Sequence, residues 1–115
     1  MLRTMILIAS LALAGGSLPV NAATKAAPHA TAPAHVVHAI VIDKMQYGPI
    51  PTDVHAGDII EWVNHDIFEH SATARDGRFD VDLKPGATVR MTAVAGTTAF
   101  FCKFHPGMTG TLVVK

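Results

Sequence analysis

From Val36 onward, hydrophobic and polar positions alternate in short runs, each cut off by Gly, Pro or Asp, and no stretch repeats its apolar positions every three to four residues. A period of two marks half-buried strands, and without a 3.6-residue period there is no basis for a helix of ordinary length. The pattern predicts strands over Val36–Asp43, Ile50–Val54, Asp58–Asn64, His70–Ala74, Ala87–Val94, Thr97–Cys102 and Thr109–Val114. Asp76-Gly77, Pro85-Gly86 and Ala95-Gly96 supply turns between them. The expected class is all-β, a sandwich or barrel, with no internal repeat and no second domain. In the strand ending at Cys102, Thr98 and Phe100 share a face with the sulfur, while Ala99 and Phe101 point the other way. An aromatic on each face makes that strand a central one. Val89, Met91 and Ala93 alternate with Arg90, Thr92 and Val94, so Met91 reads as core filler. Trp62 also reads as core.

The start of the chain follows a different rule. Residues 1–22 resemble a secretory signal, with Arg3 as the positive start, Met5 to Ala14 as the apolar stretch, and Val20-Asn21-Ala22 as a small-residue site cut after Ala22. The apolar stretch is shorter than the roughly 20 residues a membrane-spanning helix needs, and Gly15-Gly16 and Pro19 interrupt it. Residues 23–34 are a low-complexity Ala/Pro run and read as a flexible leader, with His29 solvated. Residues 35–115 remain for one small folded domain, a size at which stability is modest. Nine Lys and Arg balance nine Asp and Glu, and only Arg3 of these would leave with the signal. That balance argues against nucleic acid or another polyanion as partner and against long-range electrostatic steering.

Composition changes the picture most at the single cysteine. An exported chain with one thiol leaves it open to oxidation or intermolecular pairing unless something protects it, and a bound metal would do so. In Cys102-Lys103-Phe104-His105-Pro106-Gly107-Met108 a thiolate, an imidazole and a thioether recur at two-residue gaps, which suits a tight loop between two strands. His70 follows the Asn64 to Glu69 loop and supplies a second imidazole from a distant strand. His₂Cys with a weak Met fits copper, because Cu(I) favours sulfur and Cu(II) favours nitrogen. The rival, zinc, takes several thiolates in structural sites and has no need of a thioether in catalytic ones. The expected metal ligands are therefore His70, Cys102, His105 and Met108, around one copper ion per chain.

The other histidines are read as bystanders. His35 and His38 point to opposite faces of a strand and read as surface residues, and His55 precedes a turn. Adding His65 would overfill a trigonal set that already holds His70 and His105. There is no Gly-rich phosphate loop and no Gly-x-Ser-x-Gly elbow. Asp76, Asp80 and Asp82 flank a turn and read as solvated.

Three stretches carry a resemblance: Gly57 through Asn64, His70-Ser71-Ala72-Thr73, and Cys102 through Met108 with Gly110 to Val114 closing the chain. Over about Ile40 to Lys115 the chain resembles the cupredoxins, within them the amicyanin and pseudoazurin type. The resemblance implies a Greek-key β-sandwich, His70, Cys102 and His105 as equatorial ligands, and Met108 as the axial one. It also implies a backbone N–H of Ser71 donating to the cysteine sulfur and an Asn64 side chain bonding across to the ligand loop. Where amicyanins have Pro before the second histidine this chain has Phe104, and where they have a bulky residue before the Met it has Gly107. Redox potential and partner identity therefore do not carry over.

The expected function is a periplasmic blue-copper electron carrier, not an enzyme, monomeric and without a membrane anchor. It would exchange electrons with a redox protein such as a dehydrogenase, cytochrome or oxidase. Contact would be weak and transient, at the edge of His105, within an apolar patch of Pro106, Gly107, Phe68 and Pro49. The alternatives are a periplasmic copper carrier delivering the ion to an oxidase and a dedicated accessory of one enzyme.

Overall fold

The computed structural model describes residues 31–115 together with Gly15, Gly16 and Pro28. Most of the predicted signal and most of the predicted leader lie outside the described residues. Eight strands form: β1 (Val37–Asp43), β2 (Gln46–Tyr47), β3 (Ile59–Asn64), β4 (His70–Ala74), β5 (Asp80–Leu83), β6 (Thr88–Thr92), β7 (Gly96–Phe101) and β8 (Thr109–Val114). Among the described residues there is no helix, and so none long and apolar enough to cross a membrane. The strands make two four-stranded sheets, in the orders β2-β1-β3-β6 and β5-β4-β7-β8. The chain crosses between the sheets after β3, β5 and β6, as a Greek-key sandwich does.

Alternation along each strand determines what lies between the sheets. Ile40 and Ile42 of β1 and Ile60 and Trp62 of β3 are fully buried from one side. Ala72, Leu83 and Phe100 are fully buried from the other, with Leu112 nearly so. Phe100 is the aromatic hub, edge-on to Trp62 with centroids 5.2 Å apart and to Tyr47 at 4.9 Å. Such T-shaped pairs add to the burial of their apolar area. The Trp62 Nε1 has no hydrogen-bond partner, so packing alone holds the indole.

Strand β7 lies inside its sheet between β4 and β8. Thr98, Phe100 and Cys102 face inward and Ala99 is exposed, as the alternation requires. Phe101, on the outer face, lies under the Arg75 guanidinium at 4.7 Å.

Three expectations are corrected. Ile50–Val54 is not a strand: only Val54 pairs, in an isolated bridge to Val114, and Pro51 has no N–H to give a ladder. Asp80 and Asp82 do not merely flank a turn. They are the outward positions of edge strand β5, whose Val81 and Leu83 enter the core, and outward charges suit an unpaired edge. His38 is not an ordinary surface residue: its Nε2 lies 2.9 Å from Asp58 Oδ2, with the two side chains 14% and 9% exposed. His35 and His55 are exposed as expected, and His65 is exposed as well.

Asp58 clasps the start of β1 onto β3. Its carboxylate accepts the backbone N–H groups of His55 and Val36 as well as the His38 ring. The His55 N–H first, and then His38, hold its pKa down at about 2. A depressed carboxylate stabilises the fold fully above its unfolded pKa, about 4, and loses that contribution as pH falls through the folded value. Stability is therefore expected to fall between about pH 4 and about pH 2. The Asp58→Ala variant should show a shallower fall over that window, checked by urea midpoints at stepped pH.

Candidate metal centre

One end of the sandwich collects the chemistry. His70 opens β4 and is fully buried, Cys102 directly follows β7 and is fully buried, and Met108 directly precedes β8 at 8% exposure. His105 lies between them, half-buried, at the crest of the loop joining β7 to β8. That loop is closed by its own backbone: the Met108 N–H donates to the His105 carbonyl at 2.9 Å and the Cys102 N–H to the Met108 carbonyl at 3.0 Å. The two-residue gaps therefore close into one tight loop that carries the cysteine, the histidine and the methionine.

Cys102 Sγ lies 3.8 Å from His70 Nδ1 and 3.8 Å from His105 Nδ1, and one donor atom from each of the three residues falls within 4.8 Å of the others. Two bonds of about 2.0 to 2.3 Å meeting at a trigonal angle put nitrogen and sulfur about 3.7 Å apart. The spacing therefore fits one ion lying between all three donors.

The surroundings fix each donor. His70 Nε2 lies 2.8 Å from Asp66 Oδ2. An ionised carboxylate can only accept, so Nε2 carries the proton and Nδ1 turns its lone pair toward the sulfur. The same carboxylate accepts the N–H groups of Lys44 and Met45, which hold positive φ angles of 51° and 61° at the β1–β2 turn. The Met45 N–H foremost, with His70 behind it, keeps the Asp66 carboxyl below the usual carboxylate range. On the sulfur side, the Ser71 N–H donates to Cys102 Sγ at 3.3 Å, as the resemblance implied. The Tyr47 hydroxyl donates to the Ser71 carbonyl. Burial, and after it the charge on Cys102, pushes the Tyr47 phenol well above its ordinary pKa.

Asn64 does not bond to the ligand loop. Strand parity turns it inward behind Ile60 and Trp62, and its amide donates to the carbonyls of Phe68, Leu83 and Lys84, while its oxygen accepts the Asp66 N–H. It shapes the loop that precedes His70. The bond to the ligand loop comes instead from Ser71, whose Oγ accepts the Lys103 N–H at 2.8 Å. Sequence reasoning missed Asp66 and the Ser71 hydroxyl, although a carboxylate four residues before His70 was a visible signal.

The rim around His105 is apolar. Phe68 is 51% exposed, with its ring 6.3 Å from the His105 ring, and Ile67 and Phe104 are exposed beside it. A groove runs between the β1–β2 hairpin, through Met45 and Tyr47, and the loop from Phe104 to Thr109.

A two-sheet sandwich that gathers one thiolate, two imidazoles and a thioether at one end is a small blue-copper protein that holds one copper ion. A family model described as a cupredoxin-like domain matches residues 6–114, and the chain belongs to that family. Among curated proteins it is similar to the amicyanin of Paracoccus versutus, 29% identical over an alignment of 81 residues that covers 64% of this chain and 61% of that protein. The chain thus matches somewhat less than two thirds of that relative's length. Among solved structures, the crystal structure of amicyanin from Paracoccus versutus superposes with a TM-score of 0.58 at 27% identity, over 75% of this chain and 87% of that one. A reduced tryptophan-to-tyrosine variant of amicyanin gives 0.58 at 25% identity, over 71% and 85%.

Proposed function

We propose that this protein is an exported, periplasmic one-electron carrier whose copper is held by His70, Cys102 and His105 with Met108 as the weak fourth ligand. The observation that carries the reading is the sulfur placed 3.8 Å from two imidazole nitrogens while accepting an N–H from Ser71. Bound there, copper supplies one-electron Cu(I)/Cu(II) chemistry. The protein's part is to keep the donors still. Asp66 fixes the His70 ring, Ser71 fixes the sulfur, and the closed backbone of the 102–108 loop fixes His105 and Met108. Donors held alike in both oxidation states keep rearrangement on electron transfer small. His70 is sealed in the interior, so His105 is the route to the surface.

The exposed Ile67, Phe68 and Phe104, with Pro106 and Gly107, form the surface on which a redox partner such as a dehydrogenase, cytochrome or oxidase rests. Electron-transfer encounters of this kind bury little area and come apart quickly. With its donors around one ion, the site suits an electron carrier rather than an enzyme, and the carrier is read as a monomer.

The visible spectrum of the mature protein with Cu(II), before and after ascorbate, tests the reading. An intense thiolate-to-copper band that bleaches and returns on reoxidation is expected. Colourless copper that a chelator removes within minutes would overturn the reading and point to delivery of the ion to an oxidase. Replacing Met108 with Gln should lower the reduction potential, because the axial ligand tunes it. Voltammetry checks this, and an unchanged potential places Met108 off the copper.

A further inference from the structure

Beyond the donors, one polar cluster at this end of the molecule extends outward from Ser71 through residues that touch no donor. Ser71 and Thr73 share the outward face of β4, and their hydroxyls lie 2.9 Å apart. Thr73 pairs across the sheet with Asp80 of β5, and its hydroxyl donates to Asp80 Oδ1 at 2.9 Å. Lys103, the residue after the cysteine, enters the cluster twice. Its backbone N–H donates to Ser71 Oγ at 2.8 Å, and its ammonium reaches Asp80 at 3.0 Å and Asp82 at 2.7 Å.

The direction of every bond in this ring is forced. The Asp80 carboxylate accepts only, so the single Thr73 proton is spent on it. Thr73 must then accept from Ser71, which turns the Ser71 proton away from Lys103 and leaves a lone pair for the Lys103 N–H. Without the Thr73 hydroxyl, the Ser71 proton loses that partner and is free to swing toward the amide it now receives. Ser71 also donates its own N–H to Cys102 Sγ, so it grips both the sulfur and the peptide that follows it.

We infer that Thr73 and Asp80 are positioning residues for the metal loop, closing a hydrogen-bonded ring through Ser71 that fixes the Cys102–Lys103 peptide from the outer face of the sheet. The ring spans β4, β5 and the ligand loop, so the place of the sulfur depends on two side chains that touch no donor atom. The inference rests on the reading of Cys102 as the copper thiolate, and its test separates the two.

In the copper-free full-length protein, amide exchange at Lys103 should be about fivefold faster in Thr73→Val than in wild type, the equivalent of losing one hydrogen bond. Thr73→Ser should restore it to within about twofold. Asp82→Asn, which touches only the ammonium and lies outside the ring, should leave it unchanged. With copper bound, Thr73→Val should shift the reduction potential and the visible band, and Thr73→Ser should return both. Unchanged exchange at Lys103 in Thr73→Val overturns the ring. A wild-type band with an unmoved potential in Thr73→Val overturns the positioning role while the copper reading stands. A wild-type protein without the thiolate band overturns both.

Discussion

Replacing Cys102 with serine is expected to abolish the intense visible band while leaving the sandwich folded. The band requires a copper–thiolate bond, and Cys102 is the chain's one thiol, so no other residue can supply it. The structural cost is smaller. Cys102 is fully buried in the core cluster, and a hydroxyl in its place can still accept the Ser71 N–H that now meets the sulfur at 3.3 Å. A loss of about 1 to 2 kcal/mol is therefore expected in the copper-free protein, in line with burying a hydroxyl that keeps a partner. Absorption spectra with Cu(II), paired with urea unfolding of the copper-free variant, read the two effects separately. A band of undiminished intensity in the serine variant would remove Cys102 from the metal.

The largest stability effect is expected not at a donor but at Gly110, two residues past Met108 in β8. This residue lies opposite Phe100 in the β7–β8 ladder, and the aromatic ring fills the space a side chain would occupy. A Cβ at Gly110 would come to 2.3 Å from Phe100 Cζ and within 2.9 Å of two further ring atoms. Phe100 has no room to retreat, since Trp62, Tyr47 and Phe79 surround it. Gly110→Ala should destabilise the fold by about 3 kcal/mol, the upper part of the range for overpacked cores. For a domain of this size that lowers Tm by roughly 15 °C. Thermal unfolding measures it directly, and a change under about 1 kcal/mol would show that Phe100 does not hold the hub position.

The sequence made the metal loop readable because the chemistry is local there. Cysteine, histidine and methionine at two-residue gaps announce one site without any tertiary information. His70 was readable as the remaining histidine at a predicted strand start. Strand parity placed Trp62, Phe100 and Cys102 inward, and it places Asn64 inward as well, although its bonds run to the 65–70 loop rather than to the ligand loop.

What failed had physical reasons. β5 carries two aspartates in four residues, a composition poor in strand propensity, and pairing with β4 together with the inward Val81 and Leu83 overrides it. β2 is two residues long, and it exists because Asp66 secures the Lys44–Met45 turn before it. Ile50–Val54 has the β-branched residues of a strand without a neighbour that could use its donors. Gly110 looked like an ordinary strand residue, and the ring opposite it becomes visible only with the register known.

The uneven sequence distances within the metal site set an order of assembly. Cys102, His105 and Met108 lie in the turn of a single hairpin, whose closure needs only a short loop and is fast. His70 stands 32 positions from the cysteine and reaches it only when β4 docks beside β7. The parallel pairing of β1 with β3 is likewise a long closure, and such contacts slow folding. Loop-closure entropy thus favours a cysteine–histidine–methionine half-site forming before its second imidazole arrives, so docking of β4 beside β7 is what completes the cage.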